Sequence, residues 1–321
     1  MARVSEFDLI ERYFAPLACP LGESVLTSTG DDCAVILPPP QTSICFSIDT
    51  MVEGVHFPKG APPFELAYRS LAAAMSDLAA MGSTPAFFTL ALTLPDTDSI
   101  WLEDFSSGLK VLVDQFQFPL LGGDTTRGPL TISIQAHGFL SKPALLRSGA
   151  KDGDILAVSG TLGDAGAALD LLSVVSCKEK VFDSGESYLL SRYYRPSPRI
   201  ALGQILLGCA SSCIDISDGL LAEAEHICKK SSVSIIIDSA LIPLSSELLG
   251  FKGVEKAQEL ALTAGDDYEL LFTVPESKWS ALVASLPVGA VTEIGKVQAG
   301  SGVQLDGMNG KNLRKGFQHF E

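Results

Sequence analysis

Ser43-Ile44-Cys45-Phe46-Ser47-Ile48-Asp49-Thr50 alternates with a period of two, so Ile44, Phe46 and Ile48 share one side of an extended chain and Cys45, Ser47 and Asp49 the other. The run reads as a strand, and it sets Ser47 and Asp49 on the same face. Toward the C-terminus the spacing turns helical over residues 64–81, with Leu71, Met75 and Leu78 as the apolar stripe and Gly82 as the stop. Asp77 falls off that stripe. Its neighbours at i−4 and i−7, Ala73 and Ser70, are small, which predicts a face that something bulky can approach closely. Strands are expected over 86–94 and 130–139, separated by a helix around 100–115. Toward the N-terminus, Phe7, Ile10, Phe14 and Leu17 recur at helical spacing and predict an opening amphipathic helix, limited by Pro16 and Pro20.

Between Ala144 and Asp154 the composition changes to small, charged and glycine residues, which marks a domain junction near residue 145. The expected organisation is therefore two domains, 1–145 and 146–321. The second half reads as a strand at 154–159, a helix from about 163, a strand at 212–216, a helix at 219–230, and strands near 233–238, 268–274 and 291–297. This order suits a mixed α+β architecture better than a continuous βαβ series. Val158-Ser159-Gly160-Thr161-Leu162-Gly163-Asp164-Ala165-Gly166 follows a strand and opens a helix, but its glycines are spaced GxxGxxG and no GK[ST] follows. Close packing of the helix on a strand explains it better than a Rossmann or P-loop site.

The chain has 321 residues, 38 acidic and 23 basic side chains for a net charge of −15, and 46% hydrophobic residues. It is too apolar to be disordered. An acidic surface repels phosphates, so nucleic acid and anionic membranes are excluded as general partners, and a phosphate ligand would require metal ions. The charged start, Met1-Ala2-Arg3-Val4-Ser5-Glu6-Phe7-Asp8, and the lack of an apolar run of about 20 residues point to a cytoplasmic protein. Seven cysteines without a CxxC pair read as reduced thiols. The four histidines suggest no catalytic triad. His137 on a strand reads as structural, His226 and His319 as unremarkable, and His56, just beyond the Asp49 strand, as the one placed to touch a ligand.

The acids are the chemical signal. They recur beside glycines or at strand ends: Gly30-Asp31-Asp32, Ser47-Ile48-Asp49, Ser76-Asp77, Gly122-Gly123-Asp124-Thr125-Thr126, Asp215-Ile216-Ser217-Asp218-Gly219 and Gly265-Asp266-Asp267-Tyr268. Singly, each reads as a turn or a cap, as Asp218 does before the 219–230 helix. Gathered in one cleft, they would repel by roughly 4 kcal/mol per close pair, and they need cations or raised pKa values. Oxygen ligands without a His or Cys cluster select Mg²⁺, Ca²⁺ or Mn²⁺, and Mg²⁺ commonly completes its shell with substrate phosphates. Phosphoryl transfer is the leading chemistry. Arg127 and Arg147 are the cations beside glycine-rich turns, and Arg147 is the expected phosphate contact.

Together with Ser5-Glu6-Phe7-Asp8-Leu9-Ile10, Arg147-Ser148-Gly149-Ala150-Lys151, Arg195-Pro196-Ser197-Pro198-Arg199 and Asp267-Tyr268-Glu269-Leu270, these segments resemble the thiamine-monophosphate kinase family, nearly end to end. The resemblance implies the two-domain fold of the aminoimidazole-ribonucleotide synthetase superfamily, with an N-terminal ATP/Mg-binding domain whose sheet pairs across a homodimer and a C-terminal α+β domain. It places metal contacts on Asp32, Ser47, Asp49, Asp77, Asp124, Asp215 and Asp218, and nucleotide contacts on Gly123, Asp124, Arg147 and Ser217. Substrate contacts would fall on His56, Asp266 and Phe317. Three positions depart from the family pattern: Ile48 where relatives often have a hydroxyl residue, Asp266 where Glu is common, and Phe317 without a tyrosine's hydroxyl.

The implied reaction is direct in-line transfer of the γ-phosphoryl group of ATP to thiamine monophosphate, assisted by several Mg²⁺ ions. The acceptor phosphate has a second pKa of about 6, so no general base is assigned. The competing readings are another ATP-using enzyme of the superfamily and a non-catalytic Mg-nucleotide or thiamine-phosphate binding protein.

Overall fold

The computed structural model describes residues 6–18, 22–28, 30–174 and 181–307. They form two compact units. One holds the described residues up to Leu78 together with Ser83–Pro143, and the other holds Ala79–Gly82 and the described residues from Ala144 onward.

The N-terminal unit opens with α1 (Glu6–Leu9), which passes into a π turn over Ile10–Phe14 and a 3₁₀ turn over Ala15–Ala18, not the single amphipathic helix expected. Pro16 has no N–H to give the carbonyl of Arg12, and the Ala15 N–H reaches back five residues to Ile10. Tyr13, Phe14 and Leu17 are buried all the same. A small ribbon of β1 (Val25–Thr27) and β2 (Val35–Ile36) follows, then β3 (Ser43–Val52), α2 (Pro63–Ala80), β4 (Thr84–Leu94), α3 (Ser99–Phe116), β5 (Leu120–Arg127) and β6 (Thr131–Leu140). The sheet order is β3-β6-β4-β5, antiparallel except for β4 and β5, which are parallel and joined through α3.

Alternation decides the two faces of this sheet. In β6, Ile132, Ile134, Ala136, Gly138 and Leu140 are buried and the alternate residues are half-exposed. In β3 the polar side is the inner one: Cys45, Ser47 and Asp49 are half-buried and Met51 is buried, whereas Ile44, Phe46 and Ile48 are 47%, 65% and 64% exposed. The open face has an apolar half and a hydroxyl-bearing half. In the apolar half, His137 stacks on Phe87 at 4.5 Å and on Phe46 at 5.8 Å. In the other half, Thr50 bonds Ser133 at 2.8 Å and Thr93 bonds Thr126 at 3.0 Å.

One expectation is met within the fold and one changes. The Ala73 and Ser70 face of α2 is closely approached, and what approaches it is β3: the Ser70 hydroxyl meets Met51 Sδ at 3.4 Å and the face is buried. Gly122-Gly123-Asp124, read as a glycine-rich turn, is strand β5. Gly123 is required there because a Cβ would overlap the Leu90 carbonyl of the neighbouring strand.

The C-terminal unit runs β7 (Asp154–Ser159), α4 (Asp164–Val174), α5 (Ser184–Tyr194), α6 (Ile200–Leu206), β8 (Ser212–Asp215), α7 (Leu220–Ser231), β9 (Ser234–Asp238), α8 (Ser246–Lys252), α9 (Val254–Thr263), β10 (Leu270–Pro275), α10 (Glu276–Ala284), β11 (Val291–Gln298) and β12 (Gly302–Asp306). Its mixed sheet has the order β12-β9-β11-β7-β10-β8, with only β12 and β9 parallel. Leu156, Val158, Ile214, Ile235, Ile237, Leu271 and Ile294 form its core with α7 residues Ala224 and Ile227. The Val158–Gly166 glycines serve close packing, but against a helix and not a strand: side chains at Gly163 and Gly166 would run into Ala261 of α9 and Ala264 just past it. No helix among the described residues is long and apolar enough to cross a membrane.

Candidate active site

In the N-terminal unit the ladder of β3 places Ser47 and Asp49 on the inner face, beside α2 and its Asp77. Burial, with a smaller contribution from the negative charge of Asp77, raises the Asp49 pKa from 3.8 to about 7. Ser47 Oγ is buried and meets no hydrogen-bond partner among the described residues. Two neighbouring carboxyls and an unpartnered hydroxyl make a site that gains from a cation. Among the described residues no three His, Cys, Asp or Glu side chains converge into a complete metal cage. The donor set fits Mg²⁺, which takes one or two carboxylates and completes its shell with water and phosphate oxygens.

The remaining expected positions of this unit are spread around that pair. Asp32 is exposed between β1 and β2. Asp124 lies in register with Ala91, Ser133 and Thr50 on the hydroxyl-bearing half of the open face, while Asp49 shares its row with Ile134, Leu90 and Gly123. The register therefore sets Asp124 on the opposite face from Asp49, three strands away. His56 is half-buried after β3, and its Nδ1 accepts the Val52 N–H at 3.0 Å, which leaves the ring proton of the neutral form on Nε2.

In the C-terminal unit Asp215 ends β8, buried and paired with Leu270. Ser217 and Asp218 follow in the connection to α7. Asp218 does not cap that helix: the cap residue is Gly219, at φ +113° and without a side-chain bond. Glu223 takes over from inside the first turn. Its carboxylate accepts the Asp218 N–H at 3.3 Å and the Ser217 hydroxyl at 3.5 Å. The Glu223 pKa is raised to about 7, mainly by burial, with the Asp218 N–H opposing the rise and the charge of Asp218 adding to it. Arg147 is exposed, and its carbonyl accepts the Ser231 hydroxyl at the end of α7, which also receives the Gly149 and Ala150 N–H groups.

Asp266 is half-buried, and the Tyr268 hydroxyl donates to it at 3.4 Å. Beside it lies a buried ion network that the sequence did not announce. Glu269 joins Arg192 at 2.9 Å and Arg199 at 2.6 Å, and burial alone would raise its pKa, but the Arg199 hydrogen bond and charge hold it below the ordinary value. Asp267 accepts the Gly163 N–H at 2.7 Å at the start of α4. The signal that could have found this network is Arg199 at the end of Arg195-Pro196-Ser197-Pro198-Arg199, with Arg192 shortly before that run. Phe317 and His319 lie outside the described residues.

Residues 30–140 match the family model described as AIR synthase related protein, N-terminal domain, and residues 151–307 match the AIR synthase related protein, C-terminal domain. The thiamine-monophosphate kinase of Escherichia coli K12 is 46% identical over 283 residues, covering 88% of this chain and 86% of the relative. The chain belongs to the thiamine-monophosphate kinase family. The crystal structure of the family member from Stenotrophomonas maltophilia K279a superposes with a TM-score of 0.86 at 39% identity, covering 95% of this chain and 97% of that one. AaThiL, solved in complex with AMPPCP and TMP, gives a TM-score of 0.80 at 31% identity, covering 99% of this chain and 97% of its own.

Proposed function

We propose that the chain phosphorylates thiamine monophosphate at the expense of ATP, forming thiamine diphosphate. The observation that carries this reading is the Asp49–Asp77 pair with the unpartnered Ser47 hydroxyl, a magnesium-type donor set within this family's scaffold. Ser47, Asp49 and Asp77 would hold one metal ion on the inner face of the sheet; Asp124 on its open face, and Asp32, Asp215 and Asp218, would serve further ions. Bound Mg²⁺ supplies charge neutralisation for the two polyanions. Gly123, Asp124, Arg147 and Ser217 bind the nucleotide, and Glu223 fixes Ser217 through its hydroxyl. His56 offers Nε2–H to the acceptor phosphate, and Asp266 and Phe317 take the thiamine end. The acceptor phosphate is already ionised near neutral pH, so these side chains align it and no base removes a proton.

The division near residue 145 gives the N-terminal domain the metal and nucleotide residues up to Asp124. We further infer a homodimer, supported by the exposed Ile44, Phe46 and Ile48 on the open sheet face. The five described cysteines are free thiols, which fits a cytoplasmic setting. A coupled assay for ADP and thiamine diphosphate tests the reaction, with Mg²⁺ titrated and free thiamine as the control acceptor. Mg²⁺-dependent product from the monophosphate alone is expected. Product from free thiamine alone would overturn the acceptor assignment.

A further inference from the structure

Two short loops of the C-terminal unit are joined through their main chains. Ile216 N–H donates to the Glu269 carbonyl at 2.8 Å, Asp266 N–H to the Ser217 carbonyl at 2.8 Å, and Tyr268 N–H to the Ile216 carbonyl at 2.9 Å. Gly265 lies so close over Ser217 that its backbone carbonyl would overlap any Cβ. Asp266 and Tyr268 both adopt positive φ, +72° and +51°. Two such residues so close together persist only where the surroundings over-determine them.

Next in the chain after Tyr268 is the carboxylate of Glu269, a residue 1% exposed. It receives Arg199 Nε and Nη2, each at 2.6 Å, Arg192 Nη2 at 2.9 Å and the Ser159 hydroxyl at 2.5 Å. The Ser159 oxygen in turn accepts the Leu270 N–H at 2.9 Å, so the first residue of β10 is fixed from the same point. Arg192 also serves Asp164 and the Thr161 carbonyl. The Arg199 side chain gives both of its bonds to Glu269, in the forked geometry that fixes a carboxylate in direction as well as distance. Gly160 completes the enclosure, because a side chain there would strike the Glu269 carboxylate and the Arg199 guanidinium.

We propose that Arg199 is a positioning residue for both partners of the transfer: through Glu269 it holds Ser217, on the nucleotide side, and Asp266, on the acceptor side, in one register. The inference rests on the function proposed above for those two residues. Neither loop moves without the other, because the three main-chain bonds join them directly. Arg199 itself touches neither substrate, and its loss changes how well both are held.

The test is the Arg199→Ala variant of the full chain, with Arg199→Lys and Gly160→Ala beside it. Expected are increases of about tenfold in KM for both ATP and thiamine monophosphate, with a smaller fall in kcat. Amide exchange at Ile216, Asp266 and Tyr268 should quicken by about tenfold while the β7 amides stay protected. Millimolar guanidinium should restore both KM values in Arg199→Ala, and Arg199→Lys, which cannot reproduce the fork, should recover only part. Unchanged KM values with unchanged exchange at the three amides would overturn the proposal. So would a lowered melting temperature with uniformly faster exchange and normal KM values, since that is a purely structural role. If Arg199→Ala does not fold, Gly160→Ala carries the same comparison. An inactive wild-type protein would refute the assigned substrates, and the exchange at the three amides would then decide the role of Arg199.

Discussion

Asp49 is an acid whose folded pKa, about 7, lies above its ordinary 3.8. A raised acid favours the folded state at low pH, and that contribution is lost as pH rises through about 7. In metal-free protein, Asp49→Asn should therefore match the wild type near pH 4 and become the more stable of the two by pH 8. Mg²⁺ should reverse the order at pH 8 by stabilising only the wild type. Urea midpoints at the two pH values check this, and a pH-independent difference would rule it out. The same variant should lose at least about 100-fold in turnover with its far-UV spectrum intact, the scale expected when a preorganised charge-stabilising group is removed. Ser217→Ala should act more mildly, raising KM for ATP by about threefold to tenfold, the effect of one hydrogen bond.

Among the elements, β5 is held by a glycine. Gly123→Ala would push a methyl group into the Leu90 carbonyl and should lower stability by about 1–3 kcal/mol, read from chemical denaturation. A wild-type midpoint would mean that β4 and β5 can separate without loss. The same position explains why this strand was illegible in the sequence: paired glycines followed by Asp and Thr read locally as a turn, and only pairing with a strand 33 residues earlier makes them extended. Period-two and helical patterns were legible where one face is buried, as in β3, β6 and the stripe of α2. The site was half legible. Its acids stood out by their glycine-rich company, whereas Glu223 and the Glu269–Arg199 pair did not, since a lone acid in a first helical turn or beside a strand resembles ordinary surface charge. Asp218 misled for a related reason: its place before a helix suits a cap, but Gly219 at positive φ starts the helix and Glu223 reaches back instead.

At the scale of the whole molecule, the exposed apolar half of the N-terminal sheet is the feature that calls for a partner. Phe46→Asp with Ile48→Lys should convert a particle of twice the 33.9 kDa chain mass into a single chain, as measured by light scattering. A wild-type mass equal to one chain would remove the homodimer. Strand β3 also has a genetic consequence. Its ladder with β6 runs unbroken from Ser43 opposite Leu140 to Val52 opposite Thr131, and the duties proposed above fall on its two faces separately, metal binding inward and association outward. A shift by one residue would turn Ile48 toward Asp77 and Asp49 toward the solvent face, ending both at once. Within 43–52 the gene can therefore tolerate many exchanges of letter but no change of length: a scan of single-codon insertions and deletions should find none that survives there, while the same scan in the exposed connection at 95–98 should find many.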